Sequence, residues 1–338
     1  MKQLISFLFL CTFFLGFSQQ QNLSIDEAVL GYYKGLYPSS LDNLMWVRDS
    51  NTYVFQKDST LLFTNAKTNT NISTISLLQL QKTYPTLKRF PRLQEISSTE
   101  FTFSNDNTVE VFNYINNTKS ATISFDEAAQ NNEYNSKATA IAYTLENNLF
   151  IGTTSNPKVA VTLIEYKNIV SGQAIHRSEF GIVKGTFWSP EGTYLAFYQK
   201  DESNVTNYPL VDVTAYPASL KNIKYPMAGQ GSEKAKIGIF NLQTQETTYL
   251  DIDTSDEHYL TNLSWTPDEK YLLVAEINRG QNHVWYNRYS VETGKKINTL
   301  FEETNDNWTE PEFDAVFLPN STTNFLWFSE RDGFMNLY

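Results

Sequence analysis

The sequence predicts an all-β fold: a β-propeller of four-stranded blades, incomplete at its end, behind a short N-terminal helix. Three observations carry this. The phrase FWSPEGTYLAFYQ (187–199) returns as SWTPDEKYLLVAE (264–276). Strand–turn–strand rhythms recur along the chain at spacings that suit blades of roughly 40–50 residues. The chain is rich in aromatics, with 23 Phe, 20 Tyr and 6 Trp, and its polar residues are mostly Asn, Thr and Ser. That mixture favours strands and turns over helices.

Each element of the repeated phrase has a physical reason. One strand ends at the tryptophan, Trp188 or Trp265. Pro190 or Pro267 fixes φ at the first turn position, and the residues after it suit a turn. Tyr-Leu then opens the returning antiparallel strand. A weaker third copy, VFLPNSTTNFLWFSERDG (316–333), puts Pro319 in the same role. Earlier stretches near Trp46, Phe101 and Tyr143 keep the rhythm without the signature. The interval from Trp188 to Trp265 is too long for one blade, so it holds an insertion or a poorly marked blade. Its first part is Pro- and Tyr-rich and reads as irregular; residues 236–250 read as a hairpin around NLQTQET. Ahead of the blades, SIDEAVLGYYKGLYP (24–38) reads as a helix packed on the propeller. Ser24 caps it, and Asp26 and Glu27 suit its first turn.

The N-terminus reads as a targeting segment. Lys2 precedes an apolar run to Phe17, too short to span a bilayer comfortably, and small and polar residues follow. A cut after Ser18 divides the chain into a signal peptide (1–18), a helical segment (19–43) and the propeller (44–338). Export to the periplasm or the medium is the expectation, and a short membrane anchor is the alternative. Cys11, the one cysteine, lies inside the apolar run, so the mature chain has no disulfide and its stability comes from its core.

Composition and motifs exclude several functions. A net charge of −11 argues against a general nucleic-acid binder, because phosphate contacts need a basic surface. The sequence contains no G-x-S-x-G elbow, no H-E-x-x-H and no Cys/His set at zinc spacing. No metal and no cofactor is expected. GQGSEK (229–234) lacks the Walker spacing and reads as a loop. His258 and His283 read as loop or blade-edge residues. On these grounds the chain carries no catalytic machinery of its own.

The stretch GQAIHRSEFGIVKGTFWSPEGTYLAFYQKDESNVTNYPLVD (172–212) resembles the N-terminal propeller of the dipeptidyl peptidase IV family, which includes the bacterial prolyl tripeptidyl peptidases. YPMAG (225–229), LTNLSWTPDEKYLLVAEINRGQN (260–282) and SERDGFMNLY (329–338) match the same family. The likeness runs from about Gln173 to the end. It implies a serine exopeptidase of the prolyl oligopeptidase clan, in which the propeller precedes an α/β-hydrolase domain bearing a Ser–Asp–His triad. This chain stops at Tyr338 inside a late blade, so a fragment without the hydrolase domain is expected. No catalytic residue can be assigned within it, and alone it should be inactive.

The resemblance also implies a substrate site. A propeller carboxylate binds the free α-amino group of the peptide, and Glu179 matches that position. The mammalian members use two adjacent glutamates; residue 178 here is Ser, so the pair is reduced to one, as in the bacterial tripeptidyl type, which leaves dipeptide or tripeptide release open. The chemistry agrees in kind, since a carboxylate forms short, charge-assisted hydrogen bonds with an ammonium group. Arg177 and His176 are its neighbours, and Trp308 is a candidate for the same cavity or a blade-edge aromatic. Without the resemblance, Glu179 reads as a surface charge paired with Arg177 or Lys184. The expected partners are peptides with a free N-terminus; a homodimer of the complete protein is compatible. The competing function is a catalytically inactive propeller that binds peptides or a protein.

Overall fold

A computed structural model describes residues 22–338 except Ser39; the expected signal peptide lies outside the described residues. Among those described, four-stranded antiparallel sheets follow one another along the chain, each built from consecutive strands. The first blade runs from Asp42–Trp46 to Thr70–Ser76, the second from Leu93–Ile96 to Thr118–Ser124, and the third from Gln130–Asn135 to Val159–Ala160. The fifth runs from His258–Trp265 to Lys296–Thr304, and short pairs from Val316–Phe317 onward begin a further unit. No described helix is long and apolar enough to cross a membrane.

The core lies between blades. Phe63 of the first blade packs with Phe101 and Phe103 of the second, and Ile123 of the second with Tyr143 of the third. Leu149 and Phe197 share one cluster, Tyr198 and Leu260 another, and the Tyr286 ring packs 4.5 Å from that of Trp327 across the later seams. Each such side chain, fully buried, contributes about 1.5–3 kcal/mol, and only a neighbouring blade completes its burial. The array is therefore cooperative.

The repeated phrase is a hinge between blades as well as a hairpin. The Trp188 indole donates to the carbonyl of Glu133 at 3.0 Å, and Trp265 to that of Phe187 at 3.0 Å. Both acceptors lie in the preceding blade, so each tryptophan ties its blade to the one before it. The Ser or Thr after it closes the turn: Ser189 Oγ accepts from Tyr194 N at 2.9 Å, and Thr266 Oγ1 from Tyr271 N at 3.1 Å. The left-handed position falls on Gly192 (φ 74°) in one copy and Glu269 (φ 57°) in the other. Asp268 is the turn acid expected of it, accepting from Thr266 Oγ1 at 2.7 Å.

The fourth blade explains the long interval, which is an insertion and not an extra blade. Its strand Tyr194–Asp201 is followed by a projecting hairpin, Asn207–Asp212 with Ser219–Lys224, before the chain returns in Lys234–Asn241 and Thr247–Tyr249. The later pair is the hairpin expected around NLQTQET. The earlier stretch is regular, not irregular. It shows no alternation because nearly all of its residues are exposed on both faces, and Pro209 is tolerated in a two-stranded ribbon.

The helix is also shorter than predicted, Ile25–Leu30, although Ser24 and Glu27 form the capping box. It stops at Gly31, and the chain turns again at Gly35 (φ 74°). It buries none of its residues, so it does not pack on the propeller as expected. A second short helix, Leu77–Gln81, closes the first blade. Ser76 and Gln79 form its capping box, and Leu77 and Leu80 are buried.

Candidate functional site

Glu179 is delivered by a break in the first strand of the fourth blade. Ile169–Ser171 and Thr186–Trp188 both pair with Tyr194–Asp201, end to end along one edge: Ser171 faces Gln199, and Thr186 faces Phe197. Residues 172–185 leave the sheet between them, opposite Tyr198. The neck is closed by backbone bonds on both sides of that residue. Gly172 N donates to Tyr198 O at 2.8 Å, and Tyr198 N donates to Gly185 O at 3.0 Å. A Cβ on Gly185 would stand 2.3 Å from the carbonyl carbon of Gln173, so the two legs meet backbone to backbone and only glycine fits.

Beyond the neck the excursion is wound tightly. His176–Ser178 forms one 3₁₀ turn, with Glu179 N donating to His176 O at 3.1 Å. The backbone is left-handed at His176 (51°), Ser178 (66°), Phe180 (55°) and Gly181 (70°). Such values are uncommon for non-glycine residues and persist only where surrounding contacts impose them. Side-chain contacts from the first strand of the fifth blade are among them. Leu260 N donates to His176 Nε2 at 3.2 Å, and Thr261 Oγ1 donates to Phe180 O at 2.9 Å. The Tyr259 ring meets both His176 and Phe180 edge-on, at 5.1 and 5.0 Å. Glu179 itself is exposed in extended backbone (φ −61°, ψ 158°) between two buried residues, His176 and Phe180. The result is a carboxylate held outward on a loop with fixed feet.

Among the described side chains Glu179 makes no ion pair, and Lys184 is engaged by Glu133 at 2.5 Å. The surface pairing with Lys184 is therefore not what the structure holds. Arg177 sits in the middle of the turn. Trp308 is exposed and lines a cavity of about 240 Å³ with Glu302, Glu303, Glu310, Phe328 and Arg331. Glu179 is not among its walls, but the segment carrying Trp308 passes over the excursion: a Cβ on Gly181 would lie 2.2 Å from Glu312 O. Of the other histidines, His258 and His283 each open a strand, and His283 pairs with Glu302 at 2.9 Å. Among the described residues no group of three His, Cys, Asp or Glu side chains is placed to hold a metal.

His176 is an anchor and not a charge. Burial first, and then the positive charges of His258, Lys200 and Arg279, hold its imidazole down to about 3 from the ordinary 6.5. Glu233 Oε1 lies 3.9 Å from Nδ1, beyond hydrogen-bond distance; that carboxylate bonds the His176 amide and faces Lys200. The consequence has a definite sign. Above pH 6.5 the imidazole is neutral folded or unfolded. Below it the unfolded chain takes a proton that the folded chain refuses, so stability falls with pH until about 3. Between pH 7 and 5 the expected loss from this residue is about 2 kcal/mol. Urea unfolding of wild type and His176→Gln at both pH values measures it; equal losses in the two proteins would refute it.

Sequence reasoning missed the supporting cast: Gly185 at the neck, Tyr259 and Thr261 beneath the turn, and Glu233 behind it. The first could have been found as a glycine just ahead of a repeat strand. The others lie far away in sequence and carry no local signal.

Known proteins resemble this chain in family and fold. A family profile described as the dipeptidyl peptidase IV N-terminal region matches residues 88–338. A solved structure from Bacteroides ovatus, described as a candidate dipeptidyl aminopeptidase IV, is 37% identical with a TM-score of 0.82; it covers 89% of this chain and 42% of that one. The dipeptidyl peptidase 4 of Porphyromonas gingivalis superimposes with a TM-score of 0.70 at 18% identity, over 94% of this chain and 47% of that one, and at that identity shows the fold. A candidate dipeptidyl-aminopeptidase B of Fusarium vanettenii is 26% identical over 235 residues, 62% of this chain and 25% of the fungal protein. The chain thus spans a quarter to a half of the length of these relatives.

Proposed function

The chain belongs to the family of dipeptidyl peptidase IV N-terminal regions, and from that premise we propose that it is the substrate-gating propeller of an exported serine exopeptidase. The complete enzyme releases N-terminal di- or tripeptides after proline. A serine in a following hydrolase domain attacks the scissile carbonyl, with a histidine as general base and an acid orienting it. The propeller restricts access and docks the amino terminus on Glu179. The observation that carries this reading is Glu179 itself, an exposed carboxylate on an excursion whose flanks are buried and hydrogen-bonded. Residue 178 is Ser, so one carboxylate, not two, meets the ammonium group. Arg177 and Trp308 are proposed to line the same substrate path. In open water an exposed carboxylate attracts an ammonium by only about 1 kcal/mol at 4 Å; a second domain closing over the site strengthens that attraction by excluding water.

Two proteins test the reading side by side. The 338-residue chain should leave a chromogenic Xaa-Pro substrate intact, because its sequence offers no activated nucleophile. The product of the full reading frame should cleave it and react with a serine-directed phosphonate. Turnover that stays with the purified 338-residue chain, or none from the longer product, would overturn it. Export predicts a mature protein beginning near Gln19, which mass spectrometry of the exported material reads directly.

A further inference from the structure

We infer that Glu233 is a positioning residue for substrate binding, fixing the excursion that presents Glu179; the inference rests on the reading of Glu179 as the amine anchor. Glu233 comes from the GQGSEK loop, next to the strand Lys234–Asn241. It is buried, and its Oε1 accepts the backbone N–H of His176 at 2.5 Å. His176 is the residue at which the excursion enters its left-handed turn (φ 51°). The other oxygen, Oε2, lies 3.5 Å from Lys200 Nζ, and that ammonium also pairs with Glu202 at 2.8 Å. Lys200 stands on the strand Tyr194–Asp201, opposite Ala235. The chain of contacts therefore runs from the sheet of the fourth blade, through a largely buried ion pair, to one amide at the foot of the turn. From that amide the 3₁₀ turn leads directly to Glu179, whose N–H bonds back to His176 O at 3.1 Å.

Several features make this a clamp and not a chance contact. A buried carboxylate needs partners, and here one partner is a backbone group of the presenting turn. The His176 side chain is held separately, by Leu260 N on the fifth blade. The turn is thus gripped from two blades at one residue, by its amide on one side and its imidazole on the other. Displacing the His176 backbone moves the Glu179 carboxylate with it, and misplacement of about 1 Å at a binding group costs on the order of 100-fold in rate.

The test compares variants of the complete peptidase on peptides with free and acetylated N-termini. Glu233→Ala should lower kcat/KM for free peptides by roughly 10- to 100-fold, chiefly through KM, and leave blocked peptides nearly unchanged. Glu233→Gln keeps a carbonyl oxygen for the His176 amide and should recover most of the loss. Glu233→Asp keeps the charge but shortens the reach, and should behave like the alanine variant; it serves if Glu233→Ala folds poorly. Combined with Glu179→Gln, Glu233→Ala should cost nothing further, because it acts through that carboxylate. If Glu179→Gln itself shows no selective loss, the amine reading falls and takes this proposal with it. If Glu179→Gln is selective while Glu233→Ala and Glu233→Asp affect both substrates alike, or neither, only the positioning role is overturned.

Discussion

Glu179→Gln in the complete peptidase should lower kcat/KM by roughly 30- to 1000-fold for peptides with a free N-terminus. The substitution keeps the shape and a hydrogen-bond acceptor and removes the charge. One charge-assisted contact in a partly desolvated site corresponds to about 2–4 kcal/mol of transition-state binding, which converts to that range. The effect should be selective, since an acetylated peptide has no ammonium to lose and its already poor turnover should hardly move. The geometry makes the comparison clean. Glu179 is exposed and supports no described ion pair, while the fold of its loop rests on His176, Phe180 and Thr261. The variant should therefore unfold at the same urea concentration as wild type. Equal losses on free and blocked peptides, or no loss on free ones, would return Glu179 to the status of a surface charge.

What could be read from the sequence alone follows a physical divide. The blades were legible because the repeated phrase carries its own geometry. Pro190 and Pro267 set the turn, and the Tyr-Leu run after it is the returning strand. The task of the tryptophans is not legible there, since the bonds from Trp188 to Glu133 and from Trp265 to Phe187 cross blades. The ribbon at 207–224 was opaque because a strand exposed on both faces has no alternation to read. The helix Leu77–Gln81 was announced by Ser76 and Gln79, but it is too short to show a helical period. At the candidate site, Glu179 stands out in the sequence only through the family resemblance. Its supports do not, because the contact of Glu233 with His176 joins two loops 57 residues apart in sequence, with no local signal in either.

The excursion that carries Glu179 is closed at its neck, so Gly185→Ala should be strongly destabilising. The added Cβ would lie 2.3–2.4 Å from the backbone C, N and O of Gln173. No rotamer relieves a clash between a Cβ and another backbone, so one leg must move. Neither leg is free to do so. Gly185 O is held by Tyr198 N, Gly172 N by Tyr198 O, and the Tyr198 side chain is fully buried in the seam with the fifth blade. Forcing them apart breaks a buried backbone bond and loosens that seam, at a cost of about 3 kcal/mol. Gly231→Ala is the control: the nearest atom its Cβ would meet is Glu257 Oε1 at 3.7 Å, an ordinary contact, and a change within about 0.5 kcal/mol is expected. Urea unfolding of the two variants and wild type measures both. In the complete peptidase Gly185→Ala should also lose the preference for a free N-terminus over an acetylated one, because the opened neck no longer fixes where Glu179 points. A Gly185→Ala protein as stable as the control, with that preference intact, would mean that the excursion is held by its contacts to Glu233 and the fifth blade and not by its neck.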